Sequence, residues 1–493
     1  MRVIVVGAGL GGLSAAAHLT GADHDVTVIE RAAIPGGRAG LVPNDLGYRL
    51  DNGPTVLTMP ELLDDAFVAA GQTMADFVTI KPVDPMYRAV YHDGSELRVW
   101  HGREAMTEEI RSVAGAHDAA GFDRFCAWLD ELYRVEMPNF IDRNIGSVLD
   151  LLRPVRPAIE LVRMGGFGKL GRRIARYFDD ERVQRIFSFQ SMYAGLAPYD
   201  ALALYAIITY MDCVRGVFAP VGGMHAMASG LAAAVEKAGA MFRYSTDVAR
   251  IMLRDGDHGP VTGVELAGGE RVAADAVVCN ADLPVAYRTL LGGLDAPRRA
   301  RNGTYSPSCL LWVAGVRGDA PAGASHHNIH FGRDWDGAFR ELISDGRAMS
   351  DPSILVTMHS ADDPTLAPAG RSTMYVLEPM PNLDGRIDWA RQRESLIDDL
   401  RARTSALGYP TDVEVEAVFD PLDWERLGME RGTPFALAHT FRQTGPFRPS
   451  NVDRRAPGLV FTGSSTIPGV GVPMVLVSGK LAAQRVNTLA AKR

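Results

Sequence analysis

The chain has 493 residues, of which 47% are hydrophobic and 22% charged, and its formal net charge is -8 at pH 7. This length exceeds the size of one hydrophobic core and predicts two or three domains, while the acidic balance argues against nucleic acid as the main partner. The cysteines are scattered without a CxxC pair, which argues against a disulfide framework and a zinc site: Cys126, Cys213, Cys279 and Cys309.

The first thirty residues have the pattern of a dinucleotide-binding βαβ unit. A β-branched run at Arg2–Val6 predicts a buried strand, and the Ala-rich run Leu13–Leu19 predicts a helix. Between them, glycines in G-x-G-x-x-G spacing allow a tight turn, approach of a pyrophosphate and close helix packing: Gly7, Gly9 and Gly12. Glu30 ends a second strand, where it can accept hydrogen bonds from a ribose and would repel a 2'-phosphate. The order predicts a dinucleotide other than NADP; the alternative is a tight turn without a ligand.

A second glycine pair follows this unit. Arg31 comes directly after Glu30, and the loop then reads Gly36-Gly37-Arg38. This pair would place backbone N–H groups and one fixed cation near the same pyrophosphate. The E-R-x4-GGR arrangement resembles glutathione-reductase-type FAD flavoproteins, particularly the amine oxidase and carotenoid desaturase branch, although an ordinary loop turn is the alternative for the glycine pair.

The middle and the end of the chain carry further elements of this type. A helix is predicted at 222–240, followed by strands at 241–244, 248–253, 261–266, 271–273 and 276–280. Near the C-terminus, a strand at 458–462 leads through a Gly/Pro loop into a helix at 474–486. The start of that helix is a second site suited to negative charge. One FAD could bind both helix starts, with its diphosphate at the first and its ring system at the second.

Four segments resemble the bacterial phytoene desaturase family, and together they extend the resemblance over essentially the whole chain. They are DNGPTVLTMP at 51–60, PVGGM at 220–224, TFRQTGPFRP at 440–449 and GSSTIPGVGVPMV at 463–475. Two features depart from the usual pattern. Ile467 stands where many members have histidine, and Ser464-Ser465 replace an acidic residue; they put the catalytic use of a histidine there in doubt.

The resemblance implies an α/β fold with a discontinuous, glutathione-reductase-like Rossmann-type domain that binds FAD. We expect this domain to comprise 1–95, 215–290 and 425–493, with a helical region at 96–214 that could associate with a membrane and an α+β substrate domain at 291–424. The resemblance also implies that the backbone at Val248 contacts the adenine. Val248 also suits a core strand, and these two roles are compatible. The candidate FAD-binding residues are Gly7, Gly9, Leu10, Gly11, Gly12, Glu30, Arg31, Gly36, Gly37, Arg38, Pro54, Thr55, Val56, Val248, Asn280, Gly463, Ser464, Thr466, Gly471, Val472 and Pro473.

The activity implied by the resemblance is FAD-dependent desaturation of phytoene by successive hydride transfers to the flavin, giving more conjugated carotenes such as lycopene. Alternatives in the same fold are a carotenoid isomerase, a ketolase or a later-step desaturase. An FAD-binding carotenoid carrier without turnover is a third possibility, and an amine oxidase is a less favoured fourth. Hydrolase, metalloprotease and NTPase motifs are absent from the sequence. No catalytic residue is assigned.

A basic stretch in the helical region raises the question of a membrane partner. It contains Arg153, Arg156, Arg163, Lys169, Arg172, Arg173, Arg176, Arg182 and Arg185. Docking on anionic lipid and an ordinary solvated helix face are both open. No apolar run is long enough to span a bilayer, so we expect a cytoplasmic protein associated peripherally with the inner face of the cell membrane. His326 and His327 have no spaced carboxylate partner and are interpreted as loop residues; we expect no bound metal.

Overall fold

A computed structural model gives the fold and describes residues 1–147, 150 and 155–492, so Arg153 of the basic stretch lies outside the described residues. In chain order the strands are β1 (Arg2–Val6), β2 (Asp25–Ile29), β3 (Leu41–Val42), β4 (Leu50–Asp51), β5 (Ile80–Pro82), β6 (Tyr87–Val90), β7 (Glu96–Val99), β8 (Phe218–Pro220), β9 (Met241–Arg243), β10 (Val248–Leu253), β11 (Val261–Leu266), β12 (Arg271–Ala273), β13 (Ala276–Cys279), β14 (Ser308–Arg317), β15 (His327–His330), β16 (Ile354–Thr357), β17 (Arg371–Met380), β18 (Asp412–Phe419) and β19 (Leu459–Phe461). The α-helices are α1 (Leu10–Thr20), α2 (Pro60–Ala69), α3 (Arg103–Glu136), α4 (Val155–Arg163), α5 (Leu170–Ile174), α6 (Glu181–Ile186), α7 (Ala206–Thr209), α8 (His225–Lys237), α9 (Leu283–Thr289), α10 (Arg298–Arg301), α11 (Trp335–Phe339), α12 (Trp389–Ala406), α13 (Pro421–Arg426) and α14 (Val472–Ala490).

A five-stranded parallel sheet joins both ends of the chain. Its order is β19-β13-β1-β2-β9, with β1 at the centre between β13 and β2. The strands β13 and β19 are buried along their whole length, as expected for parallel strands covered on both faces. The carboxyl ends of all five strands meet at one edge, the place where open α/β sheets bind ligands. This pairing confirms the predicted assembly of a discontinuous Rossmann-type domain from distant segments.

The helices α1, α8 and α14 cover one face of this sheet. The helices α1 and α14 pack so closely that a Cβ added at Gly479 would lie 2.5 Å from the carbonyl oxygen of Gly11. The hydroxyl of Ser14 also donates a hydrogen bond of 2.7 Å to the carbonyl oxygen of Leu476. On the other face, the antiparallel sheet β10-β11-β12 and the helix α9 complete a separate buried cluster. The helices α1 and α14, whose starts were predicted to bind one FAD, therefore lie side by side.

A seven-stranded sheet forms the second domain. Its order is β18-β14-β17-β16-β15-β6-β7, and it is antiparallel except for the parallel pair β15 and β6. The helix α12 covers one face, where Ile397 and Leu400 are buried against strand side chains. The strands β6 and β7 belong to this second sheet, although the predicted boundary at residue 95 assigned the segment that contains β6 to the FAD domain. Their position depends on pairing with β15, which is far away in the sequence.

The region 96–214 is helical only in part. It begins with β7, and the long helix α3 contains a non-helical glycine, Gly115, at φ +87° before it passes into a π-helical turn at Met137–Ile141. Aromatic rings from α3 and its neighbours form the core of this region, with Phe122 stacked on Phe187 and Phe125 packed edge-on against Phe178. Within residues 1–147, 150 and 155–492, no helix combines the length and the apolar character that crossing a membrane requires.

The two adjacent histidines are both buried. His327 begins β15 and is fully buried, and its ring nitrogens lie 3.1 Å from the carbonyl oxygen of Met86 and 3.0 Å from that of Thr55. His326 is also buried, and its Nδ1 lies 2.8 Å from the carboxylate of Asp362. The interpretation as a loop residue was wrong for His327, because the pairing of β15 with β6 and β16 places it inside the sheet. His326 lies in a bend just before β15, so it is a loop residue as interpreted, although it is buried.

Candidate functional site

The first glycine-rich turn presents its backbone to a cavity. Gly7 has φ +98°, a conformation that favours glycine, and its N–H donates to the carbonyl oxygen of Ile29 at 2.8 Å. A Cβ added at Gly12 would lie 2.1 Å from the carbonyl oxygen of Gly7, so a larger residue would force the helix away from the turn. Gly12 does not itself line the cavity, whereas Gly7, Gly9, Leu10 and Gly11 do. The predicted packing role of Gly12 agrees with this geometry.

The second glycine pair lies directly against the first turn. Gly36 and Gly37 have φ values of +122° and +56°, and the N–H of Gly36 donates to the carbonyl oxygen of Ala8 at 2.9 Å. A Cβ added at Gly37 would approach the Cα of Gly9 to 3.3 Å. The two turns therefore pack together as one cradle of backbone, which the absence of side chains at these glycines allows.

Glu30 closes the cradle at the end of β2. Its side chain is largely buried, and its carboxylate accepts hydrogen bonds from the N–H groups of Ala8 at 2.7 Å and Ala32 at 2.8 Å. It lines the cavity together with Arg31, whose guanidinium donates to the carbonyl oxygen of Leu427 at 2.6 Å. The two backbone donors fix the carboxylate in place while leaving its further lone pairs available to a hydroxyl group.

Arg38 connects the N-terminal cradle to the C-terminal loop. Its guanidinium donates to the hydroxyl of Ser464 and lies 3.9 Å from the carboxylate of Asp282. Asp282 also accepts hydrogen bonds from the hydroxyl of Ser465 and, at 2.9 Å, from the N–H of Glu430. The sequence reasoning missed Asp282, although it stands just beyond β13 at the ligand-binding edge of the sheet. Its position after the predicted strand 276–280 is the signal that could have found it.

The helix α14 points its N-terminus at the same cavity. It is preceded by Gly471 at φ +109°, and Gly471, Val472 and Pro473 all line the cavity. Thr466 does not line it: its hydroxyl is buried and donates to the carbonyl oxygen of Pro449 at 2.9 Å. The predicted contact of Thr466 with a cofactor is therefore replaced by a role in holding the loop, because the side chain points into the protein.

One continuous cavity of about 1570 Å³ joins these features. It is larger than the roughly 300–1,000 Å³ of most small-molecule sites, so it has room for more than one ligand. Except for Gly12 and Thr466, every candidate FAD-binding residue lines it: Gly7, Gly9, Leu10, Gly11, Glu30, Arg31, Gly36, Gly37, Arg38, Pro54, Thr55, Val56, Val248, Asn280, Gly463, Ser464, Gly471, Val472 and Pro473. The starts of α1 and α14, which were predicted to share one ligand, therefore face the same cavity.

Beyond the glycine cradle, the cavity continues as an apolar channel between the helical region and the seven-stranded sheet. Its walls include Phe140, Leu161, Leu204, Ile207, Ile208, Met211, Ile329, Phe331, Trp335 and Leu355. Three titratable side chains that the sequence reasoning missed also line it: Glu136, Asp212 and His439. Burial raises the pKa of Glu136 well above its usual value and that of Asp212 to about 7, and it lowers the pKa of His439. No short sequence motif marks these three positions.

The residues present fit FAD at the glycine-lined end. The backbone of both glycine turns lines the cavity, two helix N-termini offer N–H groups to negative charge, and the buried Glu30 is placed for a ribose. A separate cluster of side chains, away from the glycine-lined end, consists of His117, Asp118 and Asp179, whose potential metal-ligand atoms lie within 4.8 Å of one another. Asp118 already accepts two backbone N–H groups, and the other two side chains are exposed.

The comparisons with known proteins agree with this geometry. Phytoene dehydrogenase of Streptomyces griseus is 48% identical over 493 residues, covering 99% of this chain and 95% of that protein. The zeta-carotene-forming phytoene desaturase of Myxococcus xanthus is 36% identical over 498 residues, covering 99% and 94%. Among solved structures, an oxidoreductase from Methanosarcina mazei has a TM-score of 0.65 at 18% identity, covering 97% and 99%, which shows the fold. Flavin-containing amine oxidoreductases match residues 10–487. The chain therefore belongs to the flavin-containing amine oxidoreductase family and is an FAD-dependent oxidoreductase.

Proposed function

We propose that this protein desaturates phytoene, or a closely related acyclic carotene, by successive dehydrogenations. The observation that carries the proposal is the continuity of the cavity, which passes from the glycine cradle into a long channel with aliphatic and aromatic walls. A polyene has no polar group to anchor, so burial in such a channel is its main source of binding energy. Relatives that cover nearly the whole chain are named phytoene dehydrogenase and phytoene desaturase, which supports this substrate class.

We place FAD with its ribose at Glu30, its diphosphate between the two glycine turns and its ring system near the start of α14. When bound there, FAD supplies the oxidant that accepts a hydride from a C–H bond. The chain orients the polyene along the channel and keeps water away from it. The N-terminus of α14, with its positive dipole end, would stabilise negative charge that develops on the ring side of the cavity.

We further propose that the channel opens onto an anionic membrane surface. The helix α4 exposes Ile159 and Val162, the latter 64% exposed, and Phe441 beside it is 56% exposed and in edge contact with the ring of Phe167. Val162, Phe167 and Phe441 also line the cavity, so this exposed apolar patch surrounds its mouth. A lipid-soluble substrate could then enter from the bilayer without crossing water.

The basic stretch contributes to this patch only in part. Arg173 stacks over Trp128 with its guanidinium 4.6 Å from the ring centroid, Arg182 pairs with Asp180 at 2.6 Å, and Arg185 is buried. These three cations are therefore committed within the protein. The exposed members include Arg156 and Arg163, which belong to the same helix α4 as Ile159 and Val162. Lys169, which contacts Asp200, and Arg172 and Arg176 are exposed as well. Each would contribute about 1 kcal/mol at an anionic surface, which supports peripheral association with the inner face of a cell membrane.

Flotation with liposomes tests the membrane proposal. The wild type should float with vesicles containing phosphatidylglycerol, and Ile159→Glu combined with Phe441→Glu should remain in the aqueous fraction. Met241→Glu is the matched control, since Met241 is 63% exposed on β9, the edge strand of the five-stranded parallel sheet. This substitution should leave flotation unchanged. Equal flotation of the mouth variant and the wild type would contradict the proposed surface.

Conversion of phytoene tests the catalytic proposal. FAD-loaded protein should convert phytoene in liposomes, with an electron acceptor present, to carotenes with longer conjugation that chromatography separates. Under anaerobic conditions phytoene should bleach the flavin absorbance, which a carrier without turnover would not show. An unchanged substrate and an unbleached flavin would reject desaturation. An isomerised or oxygenated product would support the alternative carotenoid activities, which the names of the relatives do not favour.

A further inference from the structure

A histidine whose ring nitrogens have no hydrogen-bond partner among the described residues lines the cavity. His439 lines the cavity and lies against the C-terminal loop: a Cβ added at Gly469 would be 2.3 Å from its Cε1 and 2.4 Å from its Nε2. This loop leads directly into α14, where we place the flavin ring. The Cε1–Nε2 edge of the imidazole therefore packs against Gly469, in the loop that precedes α14, while the residue also lines the cavity.

The surroundings of His439 leave its ring nitrogens uncommitted. Its backbone is fixed, since its N–H donates to the carbonyl oxygen of Ala194 at 2.8 Å and its carbonyl oxygen accepts from the hydroxyl of Tyr205. The ring of Tyr205 packs edge-on against the imidazole with centroids 5.9 Å apart. Neither ring nitrogen has a hydrogen-bond partner among the residues that the structure describes. The side chain is thus held in place without its basic atom being used.

Burial and a nearby buried cation both disfavour the charged form of this imidazole. Arg448 is 2% exposed and donates to the carbonyl oxygens of Ser464 and Thr466 at 2.6 and 2.9 Å. Burial, followed by the charge of Arg448, lowers the pKa of His439 well below its usual value. The phenol of Tyr205 lies against His439, and burial raises its pKa. Glu136 interacts electrostatically with Tyr205, and burial raises the pKa of Glu136 well above its usual value. A neutral imidazole is the form that can accept a proton.

The other titratable groups of the channel are less suited to this task. Burial raises the pKa of Glu136 well above its usual value, which disfavours the carboxylate form that could accept a proton. Asp212 accepts a hydrogen bond of 2.6 Å from the hydroxyl of Tyr87, and a second contact of 3.4 Å from the amide of Gln190. Its oxygens are therefore engaged with protein donors. His439 combines a free basic atom with a position beside the loop.

We propose that His439 is the catalytic base that accepts the proton released in each dehydrogenation; this inference rests on the proposed desaturase function. In each step one C–H bond would lose its hydrogen together with the bonding electron pair, as a hydride that bound FAD would accept. The adjacent C–H bond would break, its electron pair would form the new C=C bond, and its proton would go to a ring nitrogen of His439. The imidazolium then releases this proton to solvent before the next step.

The first arm of the test measures flavin reduction by phytoene liposomes in anaerobic stopped flow. His439→Gln should reduce its flavin at least about 100-fold more slowly than the wild type, as expected for loss of a general base, with unchanged FAD content. His439→Ala should behave likewise and should recover with added imidazole, which a merely structural role would not allow. The control is His258→Gln, since His258 is an exposed histidine outside the cavity. A rate for His439→Gln within threefold of the wild type would overturn the proposal.

The second arm is independent of turnover. In protein with ¹⁵N-labelled histidine, the signal absent from His439→Gln should remain that of a neutral imidazole down to below pH 6.5. His258 should titrate at higher pH because its hydrogen bond to Asp257 raises its pKa. A His439 that is protonated at pH 7.5 could not act as the base and would refute the inference. A wild type that leaves phytoene unchanged would instead refute the desaturase function itself.

Discussion

Substituting Gly479 with alanine tests the packing that brings the two helix starts together. A Cβ at this position would lie 2.5 Å from the carbonyl oxygen of Gly11, 2.6 Å from the Cβ of Ser14 and 2.7 Å from the backbone nitrogen of Ala15. Ordinary contacts between nonbonded heavy atoms are about 3.5–4.0 Å, so α14 must move away from α1 by about 1 Å. These neighbours are backbone and Cβ atoms, which cannot turn aside as a long side chain could.

The size of the effect follows from three contributions. Overpacking costs about 1–3 kcal/mol, and weakening the hydrogen bond from Ser14 to Leu476 costs about 1 kcal/mol. Alanine gains about 1 kcal/mol over glycine in a helix. The free energy of unfolding should therefore fall by about 1–3 kcal/mol. Because the start of α14 moves relative to the cradle, FAD affinity should also fall, by about tenfold or more for a loss of 1.4 kcal/mol.

Urea unfolding of the apoprotein and FAD titration by flavin fluorescence measure the two effects. The matched control is Gly292→Ala, because Gly292 has an ordinary φ and no atom within 4 Å of the added Cβ. This variant should match the wild type in both assays. If Gly479→Ala also matched the wild type in stability and in FAD affinity, the close packing of α1 on α14 would be refuted.

Three further predictions concern the cradle, the channel and its buried acid. Glu30→Ala removes the carboxylate proposed to accept hydrogen bonds from the ribose, and hydrogen bonds to charged groups contribute about 1.5–3 kcal/mol. The FAD dissociation constant from fluorescence titration should therefore rise at least about tenfold, and an unchanged constant would exclude Glu30 from the site. Ala158→Trp should fill the channel near its mouth and raise the KM for phytoene while the FAD content stays unchanged; an unaltered KM would show that substrate enters elsewhere. Burial raises the pKa of Asp212 from 3.8 to about 7, so the native state binds the extra proton and wild-type stability is lost as pH rises between these values. The stability of Asp212→Asn relative to the wild type should therefore rise between pH 4 and pH 8, by at most about 4 kcal/mol at 1.36 kcal/mol per pKa unit. If urea unfolding gave the same difference in stability between the two proteins at every pH, the raised pKa would be contradicted.

The nucleotide-binding part of the fold could be predicted because its signals are local. The strand at Arg2–Val6, the glycine spacing and the final helix each depend on a few neighbouring residues, and the structure places them as expected. The family resemblance, rather than periodicity, predicted that distant segments form one domain, and the pairing of β1 with β13 and of β13 with β19 joins those segments. Where chemistry requires a glycine or a buried acid at a fixed spacing, the sequence records it directly.

The channel and the second sheet could not be predicted in the same way. The strand β6 joins β15 through a parallel pairing of distant segments, and no pattern within either strand specifies its partner. His439 reaches the cavity only because the loop at Gly469 leaves space for its ring. Thr466 shows the converse, since a polar residue inside a cofactor-like loop turned its hydroxyl to the carbonyl oxygen of Pro449. The direction of a loop side chain depends on tertiary packing.

The number of FAD molecules bound per chain tests the central claim most directly. Both helix starts face one cavity, so the purified protein, reconstituted with FAD and freed of excess by gel filtration, should retain one FAD per chain. Absorbance of the flavin released by denaturation, divided by the protein concentration, gives this ratio. A ratio near one agrees with a single dinucleotide held by both ends of the chain, and protein that remains colourless after reconstitution would contradict it.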